Sequence, residues 1–299
     1  MHPPTSHSEN PEKPPAQNRQ RRWTRRGVLK LFGAGAAVFA ASGSVQAWLV
    51  EPGWIEVTRP VLRLPNCPPG WQGARIAHLT DIHVGRWISL EDVAEMVALT
   101  NAAKPDVVLL TGDFVSPRRA ITSEYARVLS ELQAPLGSFA VLGNHDYWTS
   151  ASGVRGMLEK AGVRELRNEG TLLQRRGDGL WLAGTGDLWE GAPRVDLAMR
   201  GAPGDVPRIL MQHNPDFAEQ LTPADGVDFM LSGHTHGGQV RLPGKRPIIL
   251  PIQHRKYAFG MVSGPGCGVY ISRALGVIGP GVRFNCRPEL PVYSLAGTL

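Results

Sequence analysis

Phe139-Ala140-Val141-Leu142-Gly143-Asn144-His145-Asp146 is the stretch on which the reading of this chain turns. A short apolar run suited to a buried strand ends, after one glycine, in an amide oxygen, an imidazole and a carboxylate. The same arrangement recurs. Residues 75–80 run into Asp81-Ile82-His83, and residues 107–111 run into Gly112-Asp113. Residues 209–211 lead to Gln212-His213, and residues 229–232 lead to Gly233-His234-Thr235-His236. Open α/β sheets bind ligands outside the carboxyl ends of their strands, so all these clusters can meet at one spot.

From Ala74 onward strand and helix patterns alternate, the signature of a layered α/β domain. Ser89 with Asp92 three residues on forms a capping box, predicting a helix with Val93, Met96, Val97 and Thr100 on one face and Pro105 at its end. A second helix is expected over 123–132, with Tyr125, Val128, Leu129 and Leu132 inward, and a third over 154–161, closed by Gly162. Asn214-Pro215 reads as an N-cap and first helical residue, opening a helix to about Leu221. Residues 54–64 alternate apolar and polar side chains, as an edge strand or arm would. The expected organisation is a leader over 1–47, an arm or linker over 48–73 and one domain over 74–299.

The donor types fit transition metals. On an extended segment Asp81 and His83 would point the same way, and Asp113 brings a carboxylate able to bridge two ions. Asn144 offers a neutral oxygen, and His213, His234 and His236 offer imidazoles. Such a mixed nitrogen and oxygen set favours two divalent ions of Mn, Fe or Zn over Ca or Mg. Two ions roughly 3.5–4 Å apart would clamp the attacking and departing oxygens of an in-line displacement at phosphorus. Metal-bound water there loses a proton near neutral pH, giving a hydroxide nucleophile.

Asp-x-His, Gly-Asp, Gly-Asn-His-Asp and Gly-His-Thr-His in this order resemble the calcineurin-like metallophosphoesterases over residues 74–297. Gly237-Gly238-Gln239, Ser272-Arg273-Ala274-Leu275-Gly276 and Arg283 with Pro288-Glu289 resemble one branch, which holds bacterial phosphodiesterases exported by the twin-arginine route and relatives that hydrolyse UDP-diacylglucosamine. The resemblance implies a four-layer αββα sandwich. It implies a first metal on Asp81, His83 and His236, a second on Asn144, His213 and His234, and Asp113 between them. His145 would stabilise the transition state or protonate the leaving oxygen, with Asp146 as carboxylate partner of its imidazole. Ser116 and Asp146 stand where the family usually has Asp and Glu, departures that bear on branch and substrate.

Charge excludes one class of partner. The net charge of +6 is concentrated in residues 1–47, where seven basic and two acidic side chains leave +5. The remainder is close to neutral, so no nucleic-acid surface is expected. Thr24-Arg25-Arg26-Gly27-Val28-Leu29-Lys30 resembles the twin-arginine export motif, which makes the twin-arginine translocase a partner. Uncharged residues 31–47 follow, and Val45-Gln46-Ala47 has the small residues of a signal-peptidase site. The alternative is a retained membrane anchor, because Trp48-Leu49-Val50 prolongs the apolar run. Both place the domain in the periplasm or on the extracytoplasmic face of the membrane. Cys67, Cys267 and Cys286 are too few for a disulfide scaffold; a Cys267–Cys286 bridge and buried free thiols both remain open.

Other residues keep two readings. His78 shares a strand face with Ile76 and reads as a strand histidine or a support for the metal ligands. Trp87, Tyr147, Trp148 and Trp189 pack under loops or wall a nucleobase, aryl or acyl group. Arg118-Arg119 is an exposed pair or meets an anionic group, and Arg283 could reach the site. The function expected is hydrolysis of a small-molecule or lipid phosphoester, above all a phosphodiester. A UDP-diacylglucosamine-type pyrophosphohydrolase is the enzymatic alternative, and a metal-binding scaffold the non-enzymatic one.

Overall fold

The computed structural model describes residues 25–26, 29–30, 43–116, 121–244, 247 and 249–298. Thr24, Gly27 and Val28 of the stretch that resembles a twin-arginine motif, and the Arg118-Arg119 pair, lie outside the described residues. The chain divides into a unit Met1–Gly43 and a unit Ser44–Leu299, and the architecture below is that of the second.

Its strands are, in chain order, β1 (Glu56–Thr58), β2 (Val61–Leu64), β3 (Arg75–Leu79), β4 (Val107–Thr111), β5 (Ser138–Val141), β6 (Val163–Glu165) and β7 (Glu169–Arg175). There follow β8 (Asp178–Gly184), β9 (Arg208–Met211), β10 (Phe229–Ser232), β11 (Gly260–Ser263), β12 (Gly268–Ile271) and β13 (Glu289–Gly297). They form two mixed sheets. The first runs β1-β13-β3-β4-β5-β6, with β2 also paired to β13; the second runs β11-β12-β10-β9-β8-β7. Strands β3 to β6 are mutually parallel, as are β8, β9, β10 and β12. Parallel strands point their carboxyl ends one way, and that edge is where the candidate ligand clusters begin.

Period-two alternation sorts each strand between layers. Ala77, Leu79, Val108, Leu110 and Ala140 face helices α1 (Leu90–Ala102), α2 (Ser123–Ser130) and α3 (Asn144–Lys160), meeting Val93, Met96, Leu129, Val154 and Met157. Ile76, Leu109 and Phe139 face the other way and meet Leu182, Ile209, Leu231 and Tyr270 of the second sheet. That sheet's outer face, with Ala183, Leu210, Met230 and Val269, is covered by Phe217, Leu221 and the single-turn helix α4 (Val195–Ala198). The four layers are therefore present, the fourth being thin.

Capping chemistry explains where the helices start. Ser89 Oγ accepts the Asp92 amide at 3.2 Å while Asp92 accepts the Ser89 amide at 2.7 Å, closing the capping box of α1. The expected third helix begins ten residues early, at Asn144, because Asp146 accepts the Gly143 amide at 3.0 Å and so caps a turn there. Ser150 (φ −174°, ψ 94°) kinks it, and the expected stretch 154–161 is the part beyond the kink. After Asn214, whose side chain accepts the Asp216 amide at 3.0 Å, the chain makes 3₁₀ turns over Pro215–Gln220 instead of an α-helix.

The alternating segment 54–64 contributes β1 and β2, both parallel to β13 and separated at Pro60. Before it, a helical turn Gln46–Val50 docks on the domain. The Ala47 carbonyl accepts the Arg283 amide at 3.0 Å, and buried Glu51 accepts the amides of Asn285 (2.9 Å) and Cys286. Among the described residues no helix is long and apolar enough to cross a membrane. All three cysteines are free thiols, so no bridge joins Cys267 to Cys286.

Candidate metal centre

Every cluster follows its strand by two or three residues, and together they form three overlapping groups of potential ligands. Asp81, His83 and His236 make one; Asp113, His213 and His234 make another; His83, Asp113 and His145 make the third, with ligand atoms in each group within 4.8 Å of one another. Asp113 lies at the junction. Its Oδ2 is 3.4 Å from His83 Nε2 and 3.3 Å from His213 Nε2. Asp81 Oδ1 is 3.3 Å from His236 Nε2.

The backbone at the centre is unusual. Asp81, His83, Asp113, His234 and His236 all have left-handed φ angles, at 52°, 54°, 55°, 70° and 52°. Left-handed conformation is uncommon away from glycine and is held only where surroundings enforce it. The expected extended geometry for Asp81 and His83 is thus replaced by tight turns, which still bring both side chains to one place. The preceding glycines permit close approach: a Cβ on Gly143 would collide with Asp113 Oδ1, and one on Gly233 with Asp81 Oδ2.

Hydrogen bonds fix the donors. Thr80 Oγ1 donates to Asp81 Oδ2 at 2.7 Å, and the His234 amide donates to both Asp81 oxygens at 3.0 Å, tying the two sheets together. His213 Nδ1 lies 2.7 Å from the Thr111 carbonyl, so it carries the proton and Nε2 is left to bind. His234 does the reverse, with Nε2 on the Pro251 carbonyl at 3.0 Å and Nδ1 facing His213. No sequence signal marks these supports, because the partners are backbone carbonyls.

The electrostatics suit cations. Burial pushes His83 down to about 3 and His234 down to about 4, and burial lowers His145 as well. Neutral imidazoles are the metal-binding form. Burial opposes charge on Asp81 and Asp113, yet His236 beside Asp81 and His213 beside Asp113 hold both carboxyls well below the ordinary range. Asp113 in turn raises His213 well above the ordinary histidine value, against its burial. Asn144 Oδ1 is buried without any hydrogen-bond partner, as are His83 Nδ1 and His236 Nδ1. A buried acceptor with no donor, and separately two imidazole nitrogens, His83 Nε2 and His236 Nε2, held 3.1 Å apart, fit cations.

Two expected roles are corrected. Asp146 does not partner the His145 imidazole, whose Nδ1 has no partner. Its buried carboxylate instead accepts the amides of Asp113 (2.8 Å), Phe114 (2.8 Å) and Gly143 (3.0 Å), lacing the Asp113 turn to the start of α3. Burial and the Asp113 charge push it up to about 8, against the pull of those amides. Arg283 does not reach the centre either. It is fully buried and donates to the carbonyls of Cys286 (2.9 Å), Arg273 (2.9 Å) and Gly276 (2.6 Å).

His78 is a satisfied strand histidine, 2.8 Å from Tyr293 Oη and 2.7 Å from Thr111 Oγ1. Of the four aromatics, Trp148 packs against His145 and Trp189 against His234. Trp87 lies instead beside Trp48 and Leu49, and Tyr147 packs on the helical layer.

A model of the calcineurin-like phosphoesterase family matches residues 74–238. The chain is 33% identical over 285 residues to YkuE of Bacillus subtilis (strain 168), an uncharacterized metallophosphoesterase, covering 93% of this chain and 99% of that one. It is 33% identical over 271 residues to the phosphodiesterase YaeI of Escherichia coli (strain K12), covering 89% and 97%. The solved NAD nucleotidase of Haemophilus influenzae superposes on 68% of this chain and 45% of its own, with a TM-score of 0.48 and 16% identity.

Proposed function

This chain belongs to the calcineurin-like phosphoesterase family, a family of metal-dependent phosphoesterases, and on that premise we propose that it is a dinuclear-metal phosphodiesterase. The observation that carries the reading is the Asp113 carboxylate, which stands between the His83 and His213 nitrogens at 3.4 and 3.3 Å. Asp81, His83 and His236 would hold one ion, Asn144, His213 and His234 the other, and Asp113 both. Two such ions supply Lewis-acid polarisation of phosphoryl oxygens and acidify water.

The chain's own groups do the rest. His145 sits at the rim with its ring centroid 4.7 Å from that of His83, and its amide is held by Asp113 Oδ1 at 2.9 Å. Its partnerless imidazole is placed to donate to the departing ester oxygen. Burial lowers its pKa and so favours the neutral ring, whose N–H would serve as a hydrogen-bond donor to the charge developing on that oxygen. The completeness of the donor set counts against a scaffold without chemistry.

A second reading rests on a separate feature. An apolar cavity of about 450 Å³, walled by Val240, Ile249, Leu250, Ile278, Pro280 and Val282, borders His234 and His236. Such a cavity suits the acyl part of a nucleotide-linked lipid, the substrate of a UDP-diacylglucosamine-type pyrophosphohydrolase. The purified chain reconstituted with Mn, Fe or Zn and given a phosphomonoester, a phosphodiester and a UDP-lipid separates the two. Preferential diester turnover supports the first reading, turnover confined to the UDP-lipid supports the second, and no turnover of any contradicts both.

We also propose export by the twin-arginine translocase to the extracytoplasmic side, motivated by Arg25-Arg26 and the uncharged stretch after them. Replacing both arginines by lysine should trap the protein in the cytoplasmic fraction; unchanged fractionation would contradict this.

A further inference from the structure

Trp148 and Trp189 come from opposite sides of the centre and meet over it. Trp148 lies one turn into α3, its ring 4.8 Å from the His145 ring. Trp189 lies in the loop after β8, its ring edge-on to His234 at 4.6 Å. The two indoles are nearly parallel, 22° apart with centroids at 6.3 Å, and 52% and 47% exposed.

Exposure of this size is not looseness. The loop carrying Trp189 is fastened at both ends. Gln212 Nε2 donates to Thr185 Oγ1 and to the Gly186 carbonyl, both at 2.9 Å. Asp187 Oδ1 accepts the amides of Trp189 (2.9 Å) and Glu190 (3.1 Å), and the Gly191 amide returns to the Asp187 carbonyl at 2.9 Å. Gly186 and Gly191 cross so closely that a Cβ on Gly186 would collide with the Gly191 carbonyl oxygen. Glu190 then accepts Trp148 Nε1–H at 2.8 Å, locking one indole to the loop that carries the other. With that N–H satisfied, what the pair offers a ligand is flat π surface beside the histidines.

Resting on the phosphoesterase reading above, we propose that Trp148 and Trp189 form a stacking platform for a planar aromatic group esterified to the phosphorus. Flat rings held rigidly discriminate by shape: a planar ring stacks on an indole face, whereas a puckered ring of equal size does not. The Glu190 carboxylate beside the platform disfavours a further anionic group, so the ring it takes is uncharged. The ring could be a nucleobase or a simple aryl group. The shared requirement is planarity within reach of a phosphoryl group at the centre.

The test is equilibrium binding to the metal-loaded full-length chain. The probes are inorganic phosphate, phenylphosphonate, cyclohexylphosphonate, uridine 5′-monophosphate and ribose 5-phosphate. Base-on-aromatic stacking predicts that phenylphosphonate binds about tenfold tighter than cyclohexylphosphonate. That ratio should fall to about one in Trp148→Leu and Trp189→Leu and largely survive in Trp148→Phe and Trp189→Phe. A purely structural role would weaken both phosphonates alike and leave the ratio unmoved. A matching preference for uridine 5′-monophosphate over ribose 5-phosphate identifies a nucleoside ester; preference for the phenyl group alone identifies an aryl ester. Phosphate binding with no phenyl preference, or a preference that survives both leucine variants, overturns the platform while leaving the phosphoesterase reading standing. Failure to bind any probe, phosphate included, overturns both.

Discussion

Replacing Arg283 by alanine separates two accounts of this residue. As a substrate contact it would leave stability intact and raise KM. The structure gives the opposite expectation. Burial pushes the guanidinium from 12.5 down to about 10, a cost of about 3 kcal/mol for keeping it charged. Against this stand three bonds of 2.6–2.9 Å to the carbonyls of Cys286, Arg273 and Gly276, each worth about 1.5–3 kcal/mol with a charged donor. The bonds win, and truncation also orphans the carbonyls, so Arg283→Ala should lose about 2–5 kcal/mol of stability. The damage should then travel to the centre. The loop Arg283 clamps returns amides from Leu275 to the Thr80 carbonyl (3.1 Å) and from Gly276 to the Asp81 carbonyl (2.8 Å). Urea unfolding and metal analysis of the same preparation read both effects: a lower midpoint and a deficit of metal at the Asp81 side. An unchanged midpoint and metal content with a raised KM would refute this reasoning.

Three further outcomes follow from the same geometry. His145→Ala should keep its metal and lose turnover by about 10²–10⁴-fold, as general-acid removal does; steady-state rates with parallel metal analysis decide it. Asp146→Ala should lose metal together with turnover, because the amides of Asp113 and Gly143 lose their common acceptor, whereas a carboxylate that only oriented His145 would leave metal content intact. His78 supplies a pH dependence. Burial lowers it from 6.5 to about 4, so the unfolded chain alone takes a proton in that window. Its contribution is complete above pH 6.5 and is lost as pH falls toward 4, by about 3 kcal/mol. Urea midpoints of the metal-free protein at pH 7 and pH 4.5 should differ less in His78→Gln, with the lowered His83 and His234 maintaining some slope.

The donor set was legible because its chemistry is local: a buried strand, a turn and a ligand residue lie within a few positions of each other. The need for glycine at 143 and 233 was not read from the sequence; it shows only once the carboxylates of Asp113 and Asp81 are placed against them. Asp146, Arg283 and Glu51 were not legible. Each binds backbone amides or carbonyls from segments far away in sequence, and such partners have no residue type to betray them. Helix α3 was misplaced at its start because Asn144 read as a ligand and His145 as a catalytic residue, and not as a first helical turn. Nor does the sequence show that five of the seven candidate ligands sit in left-handed turns, which follow from tertiary bonds such as that from the His234 amide to Asp81.

The central claim is that one carboxylate, Asp113, joins two cation sites. X-ray absorption of the chain reconstituted with a single transition metal tests it most directly. The account predicts two ions per chain, roughly 3.5–4 Å apart, with the metal–metal signal abolished in Asp113→Ala. A single ion per chain, or two with no metal–metal scattering at that range, would contradict it.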